Sequence, residues 1–241
     1  SDLDVIPNIT GIDKNLRPAH SHKFTFPKKC PICGSDVTEE LDGAIIRCTG
    51  GIICSAQTLE HLKHFTSRNA FNIEGLGKKQ VELLYENKII QNPADIFHLK
   101  DKTHQLEQFE GWGKKSVTNL LNAIEKSRNI TLDKFIYSLG IRHIGEITAK
   151  LIAEQYSNFE NFYDSMQLLA QNDSKINDEL SSLNGIGSKA TTSLKIFFKH
   201  PHSKHIVQDL SKVIEIAPYT RTVTNSALNN KKIIFTGTLE T

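Results

Sequence analysis

Four stretches of this chain read alike: Ile73-Glu74-Gly75-Leu76-Gly77-Lys78-Lys79, Phe109-Glu110-Gly111-Trp112-Gly113-Lys114-Lys115, Ile141-Arg142-His143-Ile144-Gly145-Glu146-Ile147 and Leu183-Asn184-Gly185-Ile186-Gly187-Ser188-Lys189. They align without gaps. Each has an apolar residue two positions before the first glycine slot and another between the two slots. Four residues beyond the second glycine stand Val81, Val117, Ala149 and Thr191, all small or β-branched. Helical periodicity then takes over. Val117, Leu120, Leu121 and Ile124 fall at i, i+3, i+4 and i+7, as do Ala149, Ile152, Ala153 and Tyr156. Apolar residues also precede the turns, as Leu106 precedes Phe109, and Phe135, Ile136 and Leu139 precede Ile141. The repeated unit is helix, tight glycine turn, helix. Such a repeat fixes the architecture before any single element is assigned.

This is the helix-hairpin-helix pattern, and four copies predict a mainly α chain. Glycine at both slots lets the backbone adopt φ > 0 and approach another surface closely. The second helix begins at the turn, so its unpaired N–H groups and positive dipole end face outward. That is an anion site suited to a phosphate oxygen. The candidate DNA contacts are Gly75, Gly77, Lys78 and Lys79 in the first copy and Gly111, Gly113, Lys114 and Lys115 in the second. Arg142 and Gly145 represent the third copy, and Gly185, Gly187, Ser188 and Lys189 the fourth. No base-reading side chain is needed, so binding should be largely independent of sequence. If the six cations named all engage, the log–log salt slope reaches about −5. The third copy departs from the pattern: His143 replaces the first glycine and Glu146-Ile147 the basic pair. The plainer alternative is a set of ordinary αα-corners whose lysines form a solvated face.

Upstream of the repeat lie the chain's 4 cysteines, Cys30, Cys33, Cys48 and Cys54. Their spacing is C-x2-C, fourteen residues, then C-x5-C. Pro31 and Gly34 suit a knuckle that aims two thiolates at one point, and Gly50-Gly51 allows the same for the second pair. Two such knuckles supply the four soft ligands, at about 2.3 Å, of a structural zinc. An iron–sulfur cluster also takes four thiolates. Two disulfides would need an oxidising compartment that nothing else supports. Four thiolates complete the shell, so His61 and His64 are read as surface or packing residues on a helix over Ala56–Phe65. Metal binding should supply on the order of 10 kcal/mol of folding free energy to so small a segment.

The chain has 241 residues, 38% hydrophobic and 23% charged, enough for one large or several small folded domains. The net charge of +2 neither requires nor excludes a polyanionic partner. No stretch approaches the roughly 20 apolar residues of a membrane span. Ser1-Asp2-Leu3-Asp4 shows no secretory signal, so a cytoplasmic protein is expected. Nothing indicates oligomerisation, and a monomer is expected. Asp4–Ile9 reads as a strand tail. Tyr219–Asn230 reads as a linker, and Lys232-Ile233-Ile234-Phe235-Thr236-Gly237-Thr238-Leu239 as a buried strand entering a glycine turn. Both ends look like cuts in a longer protein.

Taken in order, the zinc knuckle, the four hairpins and the terminal K-x-I-x-F-T-G-x-L resemble the bacterial NAD-dependent DNA ligases. The run Arg47-Cys48-Thr49-Gly50-Gly51-Ile52-Ile53-Cys54-Ser55-Ala56-Gln57 is especially like that family's second knuckle. The resemblance implies five parts: residues 1–27 as the end of an OB-fold, 28–66 as a tetracysteine zinc finger, 67–216 as the helix-hairpin-helix domain, 217–230 as a linker and 231–241 as the truncated start of a BRCT domain. It further implies bound Zn2+ here, with NAD and Mg2+ used elsewhere in the parent enzyme. The implied partner is nicked double-stranded DNA in the bacterial cytoplasm, at the nucleoid, during replication and repair. The family's K-x-D-G nucleotidyltransferase motif is absent from these residues, so no catalytic residue is assigned, and the chain alone should neither adenylate nor ligate. A non-catalytic helix-hairpin-helix binding or repair subunit is the rival reading. A hairpin-containing glycosylase is a second rival, but its V-D-T-H-like segment does not occur, and Asp209 reads as a helix-surface residue.

Overall fold

The computed structural model describes residues 10–22, 24–39, 46–49 and 54–220. The strand expected over Asp4–Ile9, the glycines Gly50 and Gly51, the linker beyond Thr220 and the strand expected over 232–239 lie outside the described residues. The chain divides into two compact units, one up to Cys54 and one from Ser55.

In the first unit the backbone is organised around the cysteines. A short 3-10 turn, Lys14–Leu16, is capped by Asp13, whose carboxylate accepts from the Asn15 amide at 2.9 Å. Strand β1 (Val37–Glu39) pairs antiparallel with β2 (Ile46–Cys48), with Val37 opposite Cys48 and Glu39 opposite Ile46. Between residues 10 and 54 the buried residues described are Cys30 and Cys54. Apolar side chains such as Phe24 (73% exposed), Leu16 (80%) and Ile32 (60%) contribute no interior.

The second unit is helical and has its own interior. Its helices are α1 (Ser55–Phe65), α2 (Lys78–Glu86), α3 (Pro93–Ile96), α4 (Thr103–Leu106), α5 (Lys114–Ser127) and α6 (Leu132–Ser138). They continue with α7 (Glu146–Tyr156), α8 (Phe159–Ala170), α9 (Ser174–Ser182), α10 (Ser188–Lys199) and α11 (Pro201–Val213). Helix α1 groups with this unit, whereas the sequence reading attached it to the zinc segment; Leu62 and Phe65 are fully buried in it. Phe65 stacks on Phe71 at 4.2 Å, and Phe97 meets both edge-on. A second aromatic cluster joins Tyr156, Phe162 and Phe198. Of the helical faces read from periodicity, Val117, Leu120 and Ile124 on α5 and Ala149, Ile152, Ala153 and Tyr156 on α7 are buried, while Leu121 is half-buried at the edge of the α5 face.

Two short strands close the unit. β3 (Asn129–Thr131) runs parallel to β4 (Glu215–Ala217), with Ile130 opposite Ile216. Order therefore extends through Ala217, and the Tyr219 amide still donates to the Ser157 carbonyl at 2.8 Å, beyond the 217 at which the linker was expected to begin. Arg128 ties the ends together. Its guanidinium donates to the Val213 carbonyl at 2.6 Å and the Phe97 carbonyl at 2.8 Å, while lying 5.4 Å from the Phe97 ring centroid. Among the described residues, no helix is long and apolar enough to cross a membrane.

Candidate metal centre and nucleic-acid interface

The metal centre is assembled by backbone geometry. The Gly34 amide donates to the Cys30 carbonyl at 2.9 Å, and Gly34 itself sits at φ 72°, where a side chain would be strained. The Cys30 amide donates to the Ser35 carbonyl at 2.8 Å. This tight turn swings Cys33 toward Cys30, while β2 delivers Cys48 from the other side. The sulfurs of Cys30, Cys33, Cys48 and Cys54 all lie within 4.8 Å of one another, and Cys33 Sγ is 3.4 Å from Cys48 Sγ. A tetrahedron with ligands at about 2.3 Å needs sulfur–sulfur edges near 3.8 Å, so the set fits one zinc ion. A disulfide needs about 2.05 Å, which the Cys33–Cys48 pair does not approach. The Cys33 thiol is pulled from 9.0 down to about 6, first by the Ser35 side chain, then by its backbone, against the desolvation that raises it. It is thus ready to bind as thiolate.

His61 and His64 stay out of that set and act in packing, as expected. Both rings press on Gly140, where an added Cβ would lie 3.0 Å from His61 Cδ2 and 3.3 Å from His64 Cδ2. His64 Nε2 is 2.8 Å from the Tyr137 carbonyl. Burial, then the neighbouring His64, lowers the His61 pKa from 6.5 to about 4, so the ring is neutral near pH 7.

The four turns share one backbone conformation. The first slot is left-handed in every copy: Gly75 at φ 84°, Gly111 at 78°, His143 at 61° and Gly185 at 99°. The second glycine is the N-cap of the following helix in every copy, with Gly77, Gly113, Gly145 and Gly187 all extended and lacking a side-chain cap. Three other helices carry side-chain caps, from Asn92 on α3, Asn158 on α8 and Asp173 on α9, whereas α4, α6 and α11 have none. The hairpin helices thus keep their first N–H groups available for an external acceptor.

Side chains then separate the copies. Lys78, Lys79, Lys114, Lys115, Ser188 and Lys189 are exposed, and among the described residues none of these five lysines forms an ion pair. The third turn presents Glu146 and Ile147 instead. The Glu146 carboxylate accepts from Asn69 Nδ2 at 2.7 Å, and Ile147 is 77% exposed. His143 fills the left-handed slot that a glycine takes elsewhere, and Arg142 is exposed but not free of partners. The second turn differs in another way. Its central apolar residue, Trp112, is only half-buried, whereas Leu76, Ile144 and Ile186 are 5% exposed or less. The sequence pattern scored all four alike, because it registers an apolar slot and not its depth. Asp209 pairs with His205 and Lys212 on the surface of α11, as expected.

Fold and site define a class first: a tetracysteine zinc module together with a helix-hairpin-helix unit. Residues 29–56 match the family model of the NAD-dependent DNA ligase C4 zinc finger domain, and residues 134–207 that of the helix-hairpin-helix motif. The cysteine segment is therefore similar to the zinc finger of the NAD-dependent DNA ligases, and the chain is similar to curated DNA ligases over nearly all its length. It is 46% identical to the DNA ligase of Rickettsia bellii (strain OSU 85-389), 45% to that of Rickettsia prowazekii (strain Madrid E) and 44% to that of Rickettsia canadensis (strain McKiel). Each alignment covers 99% of this chain and 35% of the relative, so the chain spans about a third of the length of the curated relatives it matches.

Proposed function

We infer that this chain is the DNA-binding portion of an NAD-dependent DNA ligase, and that it clamps the duplex around a nick without reading sequence. The observation that carries the reading is the set of four helix N-termini without side-chain caps behind turns of one backbone conformation, three of them followed by exposed lysines. At turns one, two and four, backbone N–H groups hold a phosphate oxygen while Lys78, Lys79, Lys114, Lys115 and Lys189 neutralise its charge. The third turn, with Arg142 and Gly145, contributes least, because Glu146 repels phosphate. Zinc holds the cysteine segment folded and takes no part in chemistry, since four thiolates leave no position for water.

In the parent enzyme AMP passes from NAD to a lysine, then to the 5′-phosphate at the nick, and the strand is sealed. No residue of this chain is assigned to those steps, so the chain alone seals nothing. A titration against nicked, intact and single-stranded DNA of matched length, at two salt concentrations, tests the reading. Salt-sensitive, sequence-independent duplex binding supports it. Absence of duplex binding at low salt removes it and leaves the hairpins as scaffold.

A further inference from the structure

An open cleft of about 940 Å³ lies between the first and second hairpin turns. Its size falls within the roughly 300–1,000 Å³ of small-ligand sites. Gly75 and Gly111, the left-handed glycines of the two turns, both stand in its lining. Trp112 is there too, half-buried and edge-on to Phe109 at 5.9 Å. The equivalent residues of the other turns sit in the core, so this aromatic is displaced from the usual packing role toward open space. Carboxamides supply much of the remaining wall: Gln80, Asn119, Asn122 and Asn129. Lys126 and Lys134 add positive charge, and Glu74 adds one carboxylate.

Resting on the clamp reading above, we propose that this cleft receives an unpaired nucleotide, its base against Trp112 and its phosphates at the flanking turns. The chemistry divides naturally. Phosphate prefers the N-termini of the helices that follow these two turns, where N–H groups and Lys78, Lys79, Lys114 and Lys115 stand. Glu74, an exposed carboxylate of the lining, disfavours phosphate within the cleft itself. A neutral base instead finds an indole face to stack on, worth roughly 1–3 kcal/mol per base in single-strand sites. A carboxamide offers both donor and acceptor, so side chains such as Asn119 and Asn122 can pair with the edge of any base, which keeps the site tolerant of sequence. A paired base in intact duplex keeps its stack and cannot enter. The cleft therefore distinguishes gapped, flapped or frayed DNA from continuous duplex.

Trp112 is the chain's 1 tryptophan, so its emission reports on this cleft alone. The full chain is titrated with a duplex carrying a short single-stranded gap and with an intact duplex of equal length. The gapped duplex should quench Trp112 emission strongly and the intact one little. Trp112→Ala should lower the preference for gapped over intact DNA about tenfold. The double variant Asn119→Ala/Asn122→Ala, which keeps the reporter, should lower it severalfold, with helical circular dichroism confirming the fold of each. Equal quenching by both duplexes, or none by saturating gapped DNA, overturns the nucleotide site. In that case persistent salt-sensitive binding of intact duplex leaves the clamp standing. Loss of binding to both DNAs at low salt removes the clamp as well.

Discussion

The cysteine segment and the helical unit reach order by different physics. In the first, the described residues that are buried are Cys30 and Cys54, and phenylalanines such as Phe24 and Phe26 lie exposed. In the second, an apolar interior runs from Leu62 to Ile214, with Phe65, Phe135, Phe162 and Phe198 fully enclosed. One unit has a metal site where the other has hydrocarbon. A segment without apolar burial is stable only while its ligands are thiolates and its ion is bound. The helical unit should be indifferent to both.

The sharpest way to break this contrast is to remove a ligand. Cys48→Ser, or exhaustive chelation, should cost the cysteine segment about 10 kcal/mol and unfold it. The wild-type chain should hold one zinc by elemental analysis and the variant none. Helical circular dichroism should barely change. A concerted loss of helix on chelation would show that the two units do not fold by separate means.

Acid tests the helical side. The folded pKa of His61, about 4, lies below the 6.5 of an unfolded histidine, so the unfolded chain binds the extra proton between those values. Stability contributed by the neutral ring is complete above pH 6.5 and falls as the pH drops toward 4. A shift of this size corresponds to about 3 kcal/mol. Urea unfolding followed through the helix signal should show that decline, and His61→Gln should flatten it. An identical pH profile in the variant would place the acid sensitivity elsewhere.

Glycine substitutions probe smaller effects within the same unit. Gly140 sits at φ 62° and faces the His61 ring, so Gly140→Ala combines backbone strain with a clash and should cost about 2 kcal/mol. Gly111, at φ 78° with nothing near its would-be Cβ, should lose only about 1 kcal/mol on Gly111→Ala. Equal costs in thermal melts would mean that the histidine packing contributes nothing.

The repeat was legible because a turn that needs φ > 0 leaves a chemical trace, the paired glycines. The cysteine centre was legible because ligand spacing is local. His143 shows the limit of the first signal. It adopts φ 61° without glycine, so the third turn was recoverable only by alignment with the others. The pairing of Asn129–Thr131 with Glu215–Ala217 left no trace, since three-residue strands so far apart in sequence carry no periodicity. The assignment of α1 to the helical unit was hidden for a related reason: Leu62 and Phe65 are apolar in either context, and only their neighbours show which core they enter. The half-exposure of Trp112 was likewise invisible, because depth in a fold is a property of what packs on top.

In the clamp proposed above, the lysines behind turns one, two and four meet phosphates. The most direct measurement is the dependence of duplex affinity on salt for the wild-type chain and for the variant with Lys78, Lys79, Lys114 and Lys115 replaced by alanine. Five engaged lysines give a log–log slope of about −4 to −5 in the wild type, and removing four should reduce its magnitude by about 3.6, equally for any DNA sequence. A wild-type slope near zero, or an unchanged slope in the variant, would contradict the phosphate clamp.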